Sequence, residues 1–283
     1  MANTINLATK YLPYVDELFT NESKRELVTN NDFTWDGAHT VKVYKVTTSL
    51  MNDYDRSGEK VEAGQIWSRY GVVKGLDATT EEMTLKKDRS FTFAIDRLDI
   101  NETAGQLAAQ AALARQIRQV VIPEIDGYVY KVMCDNAGIK ETNVTLTKEN
   151  IYDKIIEANS QLDDVGVPEF GRVLIMTPAT YVLLKKNKDV TINQDVGQEL
   201  RVKGVVGVMD GLGVQKIPAN RLPDKFGFMI AHSVATVAPV KLTDYKIHDN
   251  PPGISGNLVE GRIAYDAFVL DNKAKAIYYL QNK

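Results

Sequence analysis

The 283-residue chain is 44% hydrophobic and 25% charged, the balance of an ordinary globular protein with room for a real core and about two domains. A formal net charge of −3 excludes a protein whose whole surface binds nucleic acid by charge. A single cysteine, Cys134, excludes an intramolecular disulfide framework, and nothing points to secretion. Met1 to Thr20 lacks the basic start and apolar run of a signal peptide. The longest uncharged stretch, Phe226 to Val240, is shorter than the roughly 18–20 apolar residues of a membrane helix. A soluble cytoplasmic product is therefore expected.

Residues 1–39 carry no strong period. They read either as a frayed terminus or as an arm that orders against another surface. Leu18, Phe19, Leu27, Phe33 and Trp35 make the segment too apolar for a purely solvated tail. Val41, Val43 and Val46 alternate with polar residues, which predicts a strand over 40–50. A matching strand is predicted over Met83 to Asp96, with Met83, Leu85, Phe91, Phe93 and Ile95 on one side. The two would form a long antiparallel pair. The glycine-punctuated stretch between them would be a protruding tip, of a length that compact domains rarely leave without a function. Trp67 and Tyr70 are large side chains in that tip, placed as interface anchors are.

The next pattern is one long, alanine-rich helix over residues 103–137. Thr103 and Gln106 fit a capping box. Leu107, Ala111, Ala114, Ile117, Val121, Ile125, Tyr128 and Val132 recur at steps of three and four, which marks one packing stripe. Such a helix spans roughly 52 Å at ~1.5 Å per residue. Pro123 should kink or divide it, and Gly138 should stop it. A second amphipathic helix is predicted over 148–162 through Ile151, Ile155, Ala158 and Leu162. A turn at 165–168, a buried strand over 173–176 and a helix opened by Pro178 follow. Residues 201–217 and 228–238 read as strands. A C-terminal hairpin is expected from 262–270 and 274–280, turning at 271–273. The whole is a mixed α+β chain.

No chemical constellation emerges. His39, His232 and His248 are far apart and lack metal-ligand spacing, so structural or surface roles are expected, and Cys134 reads as a small core residue. Asp53, Asp55, Ser57 and Gly58 imitate half of a calcium loop, but position twelve is Gly64 rather than glutamate. The glycines over 204–213 lack phosphate-loop and dinucleotide spacing and fit tight turns better. Asp163-Asp164 reads as a solvated helix end, and Lys185, Lys186 and Lys188 as a solvated face. No catalytic, metal or cofactor-binding residue is assigned.

Five segments stand in a telling order: DRSFTFAIDRLDINET (88–103), VIPEIDGYVYKVM (121–133), GRVLIMTPATYVLL (171–184), VVGVMDGLGVQKIP (205–218) and GRIAYDAFVLDNKAKAIYYL (261–280). In that order, and over nearly the whole chain, they resemble the major capsid protein of tailed bacteriophages, of the Hong Kong 97-like capsid fold. The resemblance implies an N-terminal arm (1–39), an extended E-loop hairpin (40–96), a peripheral domain with a spine helix (97–148), an axial α+β domain (149–240) and C-terminal strands returning to the peripheral domain (241–283). Function would then reside in contacts between copies, in pentamers and hexamers of an icosahedral shell around double-stranded DNA. The DNA would be contacted non-specifically on the inner face. The shell would be assembled in the bacterial host cytoplasm and become the virion capsid.

The resemblance also implies a portal protein and a separate scaffolding protein, since 39 residues look too short for a fused scaffold. It implies no enzyme activity, no cofactor and no membrane. Lys60 and Lys74 lie where some members of the family carry a cross-linking lysine. No partner asparagine aligns, so that chemistry is not carried over. An encapsulin-type nanocompartment shares the fold and is the alternative. An enzyme with an unrecognised site is the third reading.

Overall fold

The computed structural model describes residues 23–30, 40–46, 48–56, 69–70, 75, 78–102, 108–187 and 205–283, with the side chains of residues 101, 102 and 242 left aside. The chain divides into two compact units, Gly37–Leu85 and Met1–Asp36 with Lys86–Lys283.

In the smaller unit, β1 (Thr40–Val46) pairs antiparallel with β2 (Ala78–Thr84), with Val41 opposite Met83. Lys42 sits across from Glu82 and forms an ion pair with it, and Lys45 reaches diagonally to Glu81. Such cross-strand pairs fix register. Between the strands, the Asp55 N–H donates to the Arg69 carbonyl at 2.9 Å, and the rings of Tyr54 and Tyr70 meet edge to face with centroids 5.0 Å apart.

The predicted second strand of that pair divides in two. The ladder with β1 ends at Thr84, and β3 (Lys87–Asp96) joins a different sheet, pairing with β11 (Gly256–Tyr265), which in turn pairs with β10 (Val240–Asp249). The break is pinned by the Lys86 N–H, which donates to the Asp266 carboxylate at 2.7 Å. One face of this three-stranded sheet packs Phe91, Phe93, Ile95 and Val259 under a helix. Its other face is a lattice of charges in which Asp88 holds Arg262, and Asp244 and Lys246 pair.

After α1 (Arg97–Glu102), the described helical run comprises α2 (Ala109–Gln116), a π-helical turn (Ile117–Val121) and α3 (Ile122–Asp135). The Ile122 N–H bonds to the Ile117 carbonyl, one residue farther back than in an α-helix. Pro123 follows at once. Its ring lacks a donor and collides with the carbonyl four residues back in a regular helix, so a wider turn just before it relieves both problems. The proposed cap at Thr103 and Gln106 lies outside the described residues.

Among the described residues, the central sheet has six strands in the order β4-β13-β8-β5-β7-β6. These are β4 (Ile139–Val144), β5 (Arg172–Met176), β6 (Val205–Met209), β7 (Leu212–Lys216), β8 (Phe226–His232) and β13 (Ile277–Asn282). Successive residues of its middle strands serve two cores. Val173, Ile175, Met229, Ala231, Ile277 and Tyr279 meet Val129, Tyr130 and Met133 of α3. Leu174, Met176, Phe228, Ile230, Tyr278 and Leu280 meet Ile151, Ile155, Ala158 and Leu162 of α4 (Ile151–Asp164) and Leu184 of α5 (Pro178–Lys186). Strands buried on both faces read as continuous apolar runs, which is why RVLIM stands out in the sequence. The Thr177 hydroxyl accepts the Thr180 N–H and caps α5, with Pro178 at its first turn, as the sequence predicts.

The expected C-terminal hairpin does not form. Residues 271–276 make a 3-10 helix, and β13 runs between β4, parallel, and β8, antiparallel. A hairpin edge has one neighbour, whereas Ile277, Tyr278, Tyr279 and Leu280 are all buried and require two covered faces. Gly138 makes the junction possible. A Cβ there would lie 2.5 Å from the Lys275 backbone nitrogen. Two short strands, β9 (Thr236–Val237) and β12 (Phe268–Val269), pair beside this core.

Candidate functional site

The described histidines and the cysteine make structural contacts. His232 Nδ1 accepts the Val234 N–H at 3.2 Å, so its Nε2 carries the proton and donates to the Phe170 carbonyl at 3.0 Å. His248 lies 3.3 Å from Glu260 on the exposed charged sheet face, and His39 lies outside the described residues. Cys134 is buried among α3 and the sheet, and burial pushes its thiol up to about 12, so the reactive thiolate is suppressed at neutral pH. Among the described residues no group of three or more His, Cys, Asp or Glu is placed to hold a metal ion. The calcium-like run continues beyond Asp55 into residues outside the description. No described helix is long and apolar enough to cross a membrane.

A cleft of about 140 Å³ lies between the π turn and the three-stranded sheet, lined by Phe91, Val120, Val121, Ile125, Ile263 and Tyr265. This is below the roughly 300–1,000 Å³ of small-molecule sites. Its carboxylate, Glu124, already takes hydrogen bonds from Arg89 at 2.7 Å and from the Tyr265 hydroxyl at 3.1 Å. Burial and that neighbouring carboxylate push the Tyr265 phenol up to about 12.

Two buried charge clusters were not legible as sites in the sequence. Asp126, on the buried side of α3, receives Arg221 at 2.9 Å, the Ser23 hydroxyl at 2.7 Å and Arg25 at 3.5 Å. Residues 23–30 are thereby strapped to the body. Val28 fills the core beside Ile125 and Val129, and the Asn30 N–H bonds to the Thr236 carbonyl at 2.7 Å. The other cluster centres on Arg172, whose guanidinium meets Asp163, Asn159 and the carbonyls of Val167 and Pro168. Asp163, expected as part of a solvated helix end, is thus a partner of a buried cation. The signal for Asp126 was present: it falls four residues before Tyr130, on a stripe continuing to Met133, Cys134 and Ala137, where a carboxylate demands a partner.

The predicted helix stripe differs from the observed one. Ala111 is exposed, Ala114, Ile117 and Val121 are partly buried, Ile125 is buried, and Leu107 lies outside the described residues. The inserted residue of the π turn rotates α2 by about 100° relative to α3. Leu113 and Ala109, not Ala111, therefore continue the packed side, against Ile95 and Val259.

The surface carries what the interior does not. Tyr44, Val46, Leu50, Met51, Tyr54 and Tyr70 are all exposed on the smaller unit, Met51 at 99%. Trp67 lies outside the described residues. On the larger unit Phe170 stands out at 95% exposure. Large apolar side chains gathered at a surface mark contact regions.

Neither a protein-family model nor a curated protein sequence matches the chain. Solved structures do. A chain from Mycobacterium phage Che8 superposes with a TM-score of 0.72 at 17% identity, covering 97% of both chains. A chain from the capsid structure of the cyanophage P-SCSP1u gives 0.71 at 14% identity over 98% of this chain and 93% of that one. A chain from the asymmetric unit of the bacteriophage PhiM1 mature capsid gives 0.65 at 11% identity over 99% and 92%. Over nearly its full length, the chain shares its α+β fold with chains of phage structures, two of them described as capsids.

Proposed function

We propose that the chain is the major capsid subunit of a tailed bacteriophage and assembles with copies of itself into the head shell. The observation that carries this reading is the end-to-end match, in which more than nine-tenths of each chain is shared with the cyanophage and PhiM1 capsid structures. The surface is consistent with it: among the described residues, six large apolar side chains lie exposed on the smaller unit. The phage structures favour a viral shell over an encapsulin-type nanocompartment.

In this reading residues 1–39 form the arm, 40–96 the E-loop, 97–148 the peripheral domain with the spine helix, 149–240 the axial domain, and 241–283 the returning strands. Trp67 and Tyr70 anchor the E-loop on a neighbour. Copies group as pentamers and hexamers, with a scaffolding protein, a portal and non-specifically held DNA as further partners. Assembly takes place in the host cytoplasm and the product is the virion capsid. With a net charge of −3, any DNA contact must come from local basic surface. The test is electron microscopy of the purified chain. Closed shells, tubes or sheets are expected, and a chain that stays monomeric at high concentration overturns the reading.

A further inference from the structure

The loop between α4 and β5 is built to hold one exposed aromatic ring. The helix ends in a Schellman arrangement: the Gly166 N–H bonds to the Asp163 carbonyl at 2.8 Å, the Val167 N–H to the Leu162 carbonyl at 3.0 Å, and Gly166 takes φ +80°. Arg172, 2% exposed, then grips the loop from beneath. It donates to the carbonyls of Pro168 at 2.9 Å and Val167 at 2.5 Å, to Asn159 Oδ1 at 2.6 Å, and to Asp163 at 2.7 Å. His232 holds the Phe170 carbonyl from the other side. Burying a cation is costly, and here its donors go to keeping one loop in one shape. Phe170 projects from that shape at 95% exposure, beside exposed Val165, Asp164 and Glu169. A ring whose backbone is already fixed loses little entropy on being covered.

A matching surface exists on the same chain. Pro178, Ala179, Val182, Lys185 and Lys186 are exposed along α5 at steps of three and four, an apolar strip that ends in two cations. The loop and the helix flank β5 in the chain, which Arg172 opens and Pro178 follows, and the loop leaves Phe170 uncovered within its own chain. One surface is apolar with two carboxylates, the other apolar with two ammonium groups.

Resting on the shell reading above, we propose that the Phe170 loop of one copy docks on the α5 strip of the next, with Asp164 and Glu169 facing Lys185 and Lys186. A contact between two different patches of identical chains is heterologous and repeats around a ring. It gives the copies within one capsomer a direction.

The test compares assembly of purified variants by light scattering and electron microscopy, with melting curves to verify folding. Phe170→Ala should melt like the wild type yet need at least tenfold higher concentration to assemble. The pair Asp164→Lys with Glu169→Lys should block assembly, as should Lys185→Glu with Lys186→Glu. The combined fourfold variant should restore it, since reversing both sides recovers opposite charges. If wild-type shells form, and Phe170→Ala assembles normally or the fourfold variant is no better than either pair, this contact is wrong while the shell reading stands. A wild-type chain that stays monomeric overturns the shell reading, and the contact with it.

Discussion

Arg221 Nη1 donates to Asp126 Oδ2 at 2.9 Å, and the two side chains are only 4% and 1% exposed. The pair joins α3 to the short 3-10 turn at Ala219–Arg221, and the same carboxylate holds Ser23 and Arg25 of the N-terminal strap. Asp126→Ala strands a buried guanidinium and should lower unfolding free energy by about 3–5 kcal/mol in denaturant titrations. Arg25→Ala, at a partly solvated position, should cost far less. Hydrogen exchange of residues 23–30 should accelerate in both variants. Unchanged exchange in both would mean that Val28 and the Asn30 backbone bond hold the strap without Asp126.

The π turn makes a prediction that simple helical spacing reverses. Ala111→Glu places a charge on an exposed position and should leave the unfolding free energy of the unassembled chain within about 0.5 kcal/mol of wild type. Leu113→Glu and Ile125→Asp insert charges against apolar neighbours and should each cost on the order of 3 kcal/mol or more. Equal destabilisation by Ala111→Glu and Leu113→Glu would indicate a regular helix without the inserted residue.

Glu141 gives the chain a component of acid sensitivity. The Tyr278 hydroxyl, first, and then Lys154 donate to its carboxylate and hold it below the ordinary glutamate range. A depressed carboxyl stabilises the fold above its unfolded value, near about 4.3, and loses that contribution as pH falls through the folded value. The fall in melting temperature below pH ~4.3 should be shallower in Glu141→Gln than in wild type. Parallel curves would show that this hydrogen bond does not discriminate between the charged and neutral forms.

Residues 52–75 of the smaller unit should be dispensable for folding and required for assembly. Replacing residues 52–75 with Asn-Gly keeps β1 and β2, whose ladder spans 40–46 and 78–84. The variant should stay folded, as judged by circular dichroism and a cooperative melt, and form no closed shells. Normal shells from it would remove Tyr54 and Tyr70 from the assembly surface. Loss of the cooperative melt would show that the segment belongs to the folding core.

Much of the fold was legible because local rules governed it. The stripe Ile151, Ile155, Ala158 and Leu162 became a buried helix face, RVLIM a strand covered on both sides, and Pro178 the first turn of a capped helix. The turn at 165–168 is the Schellman end of α4. The cluster at Asp126 was hidden because its partners lie about a hundred residues away in either direction, and that at Arg172 because it meets two main-chain carbonyls as well as Asn159 and Asp163 of the preceding helix. Nothing in the pattern of a 95-residue separation marks Arg221 as the partner of Asp126.

By itself, then, the sequence determined where α4, β5 and α5 lie, the apolar face of α4, and the order of parts that resembles a capsid chain. Periodicity and capping act within a few residues, so they can be read without a structure. Only the tertiary structure decided that β3 leaves β2 to pair with β11, and that β13 lies between β4 and β8 rather than in a hairpin. It also decided that a π turn rotates α2 and takes Ala111 off the packed face. Strand partners and side-chain partners are chosen by which distant surfaces need covering, and an apolar run states that need without naming what will meet it.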